Sequence, residues 1–170
     1  MGANPYCYFA PYQQDIARAL AALQQQEFDA GRYDPALQAA NPPTYTFMQK
    51  FPPGANFPSP GAQHGSIDEA REAGAESGTG SILDVAALSV SPELLCASPT
   101  THESLVALFA TSTPNHAQVA SLGDLQGAPR EQIQKIELFW DEIGRGQARY
   151  FLVYADGAPA EIFFAGMSID

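Results

Sequence analysis

Positive charge is what this chain has least of. Its 170 residues include eight Lys and Arg, of which only Lys50 and Lys135 are lysines, against nineteen Asp and Glu, for a net charge of −11. A nucleic-acid-binding surface must supply cations that displace the counterions of phosphate, so this balance argues against nucleic acid as a partner. Anionic membrane surfaces are disfavoured on the same ground. Long apolar runs are also missing: none, 150–155 included, exceeds six residues, where a helix needs roughly 20 to cross a bilayer. Cys7 and Cys96 are the only cysteines. They form neither a Cys-x-x-Cys nor a disulfide framework, and a bridge between the two is left open. His64, His102 and His116 show no metal-ligand spacing, so no metal is expected, and no motif asks for a cofactor. MGANPYCYFA has no basic start or apolar core of a signal peptide, and Tyr6 stands where N-myristoylation wants Ser or Thr. These absences predict a soluble, cytoplasmic protein.

What is present is ordinary for a globular chain: 45% apolar and 16% charged residues. The length predicts one domain over 1–170. It is interrupted by FPPGANFPSPGAQHG (51–65), whose four prolines and three glycines leave no regular element. The acid is uneven. Residues 66–103 hold seven acids against Arg71 alone, whereas 1–65 hold four against three cations.

PYCYF (5–9) has the aromatic alternation of a strand. A helix is expected over 12–30, with Ile16, Leu20, Leu23 and Ala30 on one stripe and Gly31 as its stop. TYTFM (44–48) reads as a second strand. Ser66-x-x-Glu69 is a capping box that opens a short helix ending at Gly74. SGTG then turns the chain, and SILDVAAL reads as a mostly buried strand. Ser91-Pro92, Thr100-x-x-Glu103 and Thr113-Pro114 mark further helix starts. Pro129 opens the most periodic helix, REQIQKIELFWDEIG, with Ile133, Ile136, Trp140 and Ile143 on one face. The chain closes in a β-hairpin around Asp156-Gly157. An unbroken register there places Phe151 and Val153 with Ala160, Ile162 and Phe164, and Tyr150, Leu152 and Tyr154 with Glu161 and Phe163. Both faces are apolar, so helices should cover at least one. The expected fold is α+β: a small, mainly antiparallel sheet with helices packed against it and a C-terminal β-hairpin.

Gly74–Ser81 matches a P-loop in glycine content only. Its spacing differs, Gly80 occupies the lysine position, and a strand rather than a helix is expected to follow. It reads as a turn. His64-Gly65-Ser66 resembles the His-Gly-Ser or His-Gly-Thr of ADP-ribosyltransferases of the poly-ADP-ribose polymerase and diphtheria-toxin group. That resemblance implies His64 as the ribose contact and Glu161 as the catalytic strand glutamate. On an aromatic strand face Glu161 would have a raised pKa, as a general acid or base requires. EFDAGRYDP (27–35), SILD (81–84) and the closing FFAG are similar to small bacterial proteins to which no activity is attached.

The leading expectation is a binding protein without catalytic chemistry that neutralises a basic protein partner through Asp68, Glu69, Glu72 and Glu76. It resembles bacterial immunity proteins in being small, acidic and free of a coherent active site. The alternative is a small ADP-ribosyl- or nucleotide-processing enzyme using His64 and Glu161. A homo-oligomer paired through the apolar hairpin is a third option.

Overall fold

A computed structural model describes residues 4–39, 59–123 and 128–169; the strand expected over 44–48 and most of the 51–65 loop lie outside these. Five strands form one sheet: β1 (Pro5–Pro11), β2 (Ala87–Leu88), β3 (Cys96–Pro99), β4 (Ala148–Ala155) and β5 (Ala158–Met167), in the order β1-β5-β4-β3-β2. The long pairings, β1 with β5 and β5 with β4, are antiparallel. The short ones, β4 with β3 and β3 with β2, are parallel. The α+β expectation holds, with a mixed sheet.

Because both faces of β4 and β5 are apolar, both must be covered. On one face, Leu20 and Leu23 of α1 (Ile16–Ala30) pack on Tyr6, Tyr8, Ile162 and Phe164. The short α2 (Ala36–Ala39) and α3 (Ile67–Ala73) extend that layer, where Phe28, Tyr33, Ala70 and Leu83 form a satellite core. On the other face, α4 (His102–Phe109), α5 (His116–Ala120) and α6 (Arg130–Asp141) bury Leu105, Val119, Ile136 and Phe139 against Phe151, Val153 and Phe163.

The hairpin turn is as the Asp-Gly pair predicts, with φ of 50° at Asp156 and 79° at Gly157. Its register is not. A β-bulge beside Val153 and Tyr154 pairs Tyr154 with Pro159 but Val153 with Glu161, leaving Ala160 unpaired. Every residue beyond it therefore changes face relative to the unbroken register. Phe151 and Val153 lie with Phe163, while Tyr150 and Leu152 lie with Ile162 and Phe164. The freed Ala160 carbonyl accepts the Tyr12 amide at 3.0 Å. That bond prolongs the β1 contact and delays α1 to its cap at Asp15, whose side chain accepts from the Arg18 amide.

Other expectations shift for local reasons. SILDVAAL is buried but not a continuous strand: Ile82–Asp84 is a 3₁₀ turn capped by Ser81, and only Ala87–Leu88 pairs. Ser91-Pro92 opens no helix; the chain turns there and enters β3. The cap of α4 is Thr101 rather than Thr100, and that of α5 is Asn115, in a capping box with Gln118. Cys7 on β1 and Cys96 on β3 form no disulfide and are three strand positions apart. At about 4.8 Å per strand this is beyond disulfide reach. The hairpin is flanked by β1 and β3 and covered on both faces, so it offers no edge to a second copy.

Two glycines with positive φ separate conformational from steric cost. A Cβ at Gly157 would meet nothing within 4 Å, whereas one at Gly31 would lie 2.1 Å from the Gly61 carbonyl oxygen. Gly157→Ala is expected to cost about 1 kcal/mol. Gly31→Ala is expected to cost more than about 3 kcal/mol, because backbone must move. Urea denaturation of the two variants checks the contrast.

Candidate partner-binding face

Ser66 accepts the Glu69 amide at 3.2 Å, and the Glu69 carboxylate accepts the Gly65 amide at 2.8 Å. This reciprocal pair starts α3 as its sequence predicts. The helix buries Ala70 completely and turns Asp68, Glu69 and Glu72 to solvent, with exposed Glu76 just beyond its Gly74 cap. So short a helix has little stability of its own. What holds it is a polar node built around residues 78–85.

At the centre of the node is Asp84. Its buried carboxylate accepts the Thr79 amide at 2.5 Å, with further bonds from the Gly80 and Ser81 amides. The Thr79 and Ser81 hydroxyls meet at 2.9 Å. Three neighbours bond to the outside of this loop. The Gln24 amide of α1 donates to the carbonyls of Ile82 (3.2 Å) and Val85 (2.6 Å). Arg71 of α3 donates to those of Leu83 (2.6 Å) and Val85 (2.8 Å). The Asp34 amide donates to the Thr79 carbonyl at 2.8 Å. Arg71 also reaches Asp68 at 3.0 Å.

Burial pushes the Asp84 carboxyl above its ordinary pKa, although the amide bonds to it pull the other way. Burial likewise raises Asp34, from 3.8 to about 6; a Gln38 hydrogen bond opposes this and the Asp84 charge adds to it. One oxygen of each carboxyl, Oδ1 of Asp34 and Oδ2 of Asp84, is buried without a hydrogen bond. Glu27, fully buried in α1, is instead neutralised by Arg32 in a two-pronged ion pair at 2.8 and 2.5 Å.

His64 and Glu161 are not brought together. His64 Nδ1 lies 2.9 Å from the Tyr33 hydroxyl, which also accepts the Gln63 amide, so it belongs to the α1–α3 layer. The bulge places Glu161 on the opposite sheet face, where it pairs with His116 at 2.7 Å, and His116 stacks on Phe9. The sheet stands between the two residues. No cleft holding both a ribose contact and a catalytic glutamate is formed from them. The His116–Glu161 pair was missed in the sequence because its partners are 45 residues apart and their meeting depends on the bulge. Gly78–Ser81 does not open a helix of the kind that binds phosphate; its amides are turned on Asp84. Among the described residues no group of three His, Cys, Asp or Glu could hold a metal, and no helix is long and apolar enough to cross a membrane. No family model, curated protein or solved structure matches the chain.

A carboxyl with a raised folded-state pKa holds its proton more tightly folded than unfolded. Its stabilisation is complete below the ordinary carboxyl value and is lost as pH rises through about 6 for Asp34. Asp34→Asn, neutral throughout, is therefore expected to be more stable than wild type near neutral pH and to lose that advantage in acid. Urea denaturation across a pH series reads this directly. Arg71→Met, which removes the bonds to Leu83 and Val85, is expected to cost about 2–4 kcal/mol. Amide hydrogen exchange should then report faster opening of α3 than of β4 and β5.

Proposed function

We propose that this protein is an acidic binding protein, cytoplasmic and without catalytic chemistry of its own, that neutralises a basic protein partner through the exposed side of α3 and the turn after it. The observation that carries this reading is the direction in which the charges point. Arg32 is spent on buried Glu27, and Arg71 is spent on two backbone carbonyls and Asp68. Glu72 and Glu76 are exposed, and no cation stands within ion-pair distance of them among the described residues. The Asp68 side chain is 90% exposed even within its pair with Arg71. The outward field of this layer is thus negative, and the node beneath fixes the helix that carries it. A negative patch of this kind attracts a basic surface at long range and speeds its encounter.

The four acids do not carry equal weight. Glu69 is half committed to its cap and Asp68 is partly offset by Arg71, so Glu72 and Glu76 contribute most of the free charge. The reading is immunity-like in the sense of an acidic inhibitor that covers a basic effector.

Glu72→Lys with Glu76→Lys tests it without touching the cap. A basic protein captured from cell extract on the immobilised chain would be purified and its association rate measured at several salt concentrations. The double variant is expected to associate about tenfold more slowly or worse, with a flattened salt dependence. An unchanged rate in the double variant would remove this face from consideration.

A further inference from the structure

A cleft of about 220 Å³ opens on the other side of the sheet, between the start of α4, the end of α6 and the chain after β2. We propose that it binds a small monocarboxylate carrying an apolar body, with Arg149 as the anchor for the charged end.

Arg149 stands at the start of β4 and is half-buried. Nη1 donates to the Ser98 hydroxyl at 2.9 Å and to the Ala148 carbonyl at 3.4 Å, and Nη2 donates to the Glu142 carbonyl at 3.2 Å. All three acceptors are uncharged. They fix the plane of the guanidinium without neutralising it, and no carboxylate lies within ion-pair distance among the described residues. A guanidinium has five N–H donors, so donors on Nε and Nη2 remain. Such a fork suits the two oxygens of a carboxylate. Thr100 lines the same cleft, and its hydroxyl oxygen is buried without a hydrogen-bond partner. A buried hydroxyl in that state costs free energy that a ligand oxygen would recover.

The rest of the lining chooses among anions. Glu142 also lines the cleft, its charge acts on Arg149, and the chain is at −11 overall. A phosphate dianion would meet about twice the repulsion that a monocarboxylate meets. Pro92, Pro99, Phe139 and Val90, the last 93% exposed, supply apolar wall. The volume is below the roughly 300 Å³ at which drug-sized pockets begin, so the apolar body is short.

The test is an NMR titration of the full chain, following backbone amides, with hexanoate, the neutral isostere hexanamide, and inorganic phosphate. Hexanoate is expected to shift Ser91, Thr100–Ser104 and Arg149 in a saturable way in the millimolar range. Hexanamide is expected to bind at least about tenfold more weakly, since a charge-assisted hydrogen bond is lost. Arg149→Gln should weaken hexanoate by at least about the same factor. Thr100→Val, which removes an unsatisfied hydroxyl and should fold at least as well as wild type, is expected to weaken it several-fold. Equal binding of hexanamide, no saturation with hexanoate, or unchanged affinity in Thr100→Val and Arg149→Gln would overturn the proposal. Tighter binding of phosphate than of hexanoate would overturn it as well.

Discussion

The carboxylate of Asp84 is buried, no cation among the described residues pairs with it, and the helical layer carrying the acidic face depends on how that carboxylate is hydrogen-bonded. Removing such a group from water costs several kcal/mol unless donors replace the lost hydration. Here the donors are the backbone amides of Thr79, Gly80 and Ser81 and the Thr79 hydroxyl, which the loop can present only by folding tightly around Asp84. That loop then shows its carbonyls outward, where Gln24 and Arg71 take them up. Satisfying one buried acid thus creates the acceptors that fasten α1 and α3. The same logic explains why α3, at seven residues, persists: beyond its capping box, its anchorage comes from Ala70 and Ile67 in the satellite core and from Arg71 on the node.

The node also explains how much of the fold was legible in the sequence. Signals that act within a few residues were readable: the capping box at Ser66 and Glu69 and the Asp156-Gly157 turn formed where expected, and α1 and α6 formed over shorter spans than expected, Ile16–Ala30 and Arg130–Asp141. Signals that need a distant partner were not. SILD is apolar enough for a strand, yet Asp84 closes on Thr79 and turns the segment into a 3₁₀ helix. CASP carries no strand pattern of its own; β4 supplies the ladder it joins. The bulge at Ala160 is the sharpest case, since the residues around it have no local mark of one. At it, the Tyr12 amide donates to the Ala160 carbonyl and the Tyr154 amide to the Pro114 carbonyl, both bonds to segments distant in sequence.

That one-residue slip decided the candidate sites as well. Had the hairpin been regular, Glu161 would share a face with Tyr150 and Tyr154; with the bulge it shares one with Val153 and meets His116. His64, by contrast, is placed by Tyr33, a residue whose role no local pattern announced. The acids of 68–76 were legible because exposure of an acidic helix face needs no partner. What composition alone did not reveal is which of them are free to act, because that turns on the destination of Arg71.

The scarcity of lysine can now be given a structural meaning. Six of the eight cations are arginine, and three of them use the planar fork to hold neutral or buried acceptors: Arg32 on Glu27, Arg71 on Leu83 and Val85, Arg149 on Ser98, Ala148 and Glu142. A lysine ammonium could not bridge several fixed acceptors in one plane. These three arginines are internal fasteners with their charge turned toward the protein, whereas Arg18, Arg130 and Arg145 are exposed. Two consequences follow from the same fact. Around α3 the outer field is left to the acids, which is what the proposed basic partner would require. Where a fastening arginine keeps donors in hand at a cleft, as Arg149 does, the protein has a cation at a place an anion can reach. The proposed partner face and the proposed carboxylate cleft thus both rest on where these three arginines are committed, and they lie on opposite sides of the sheet.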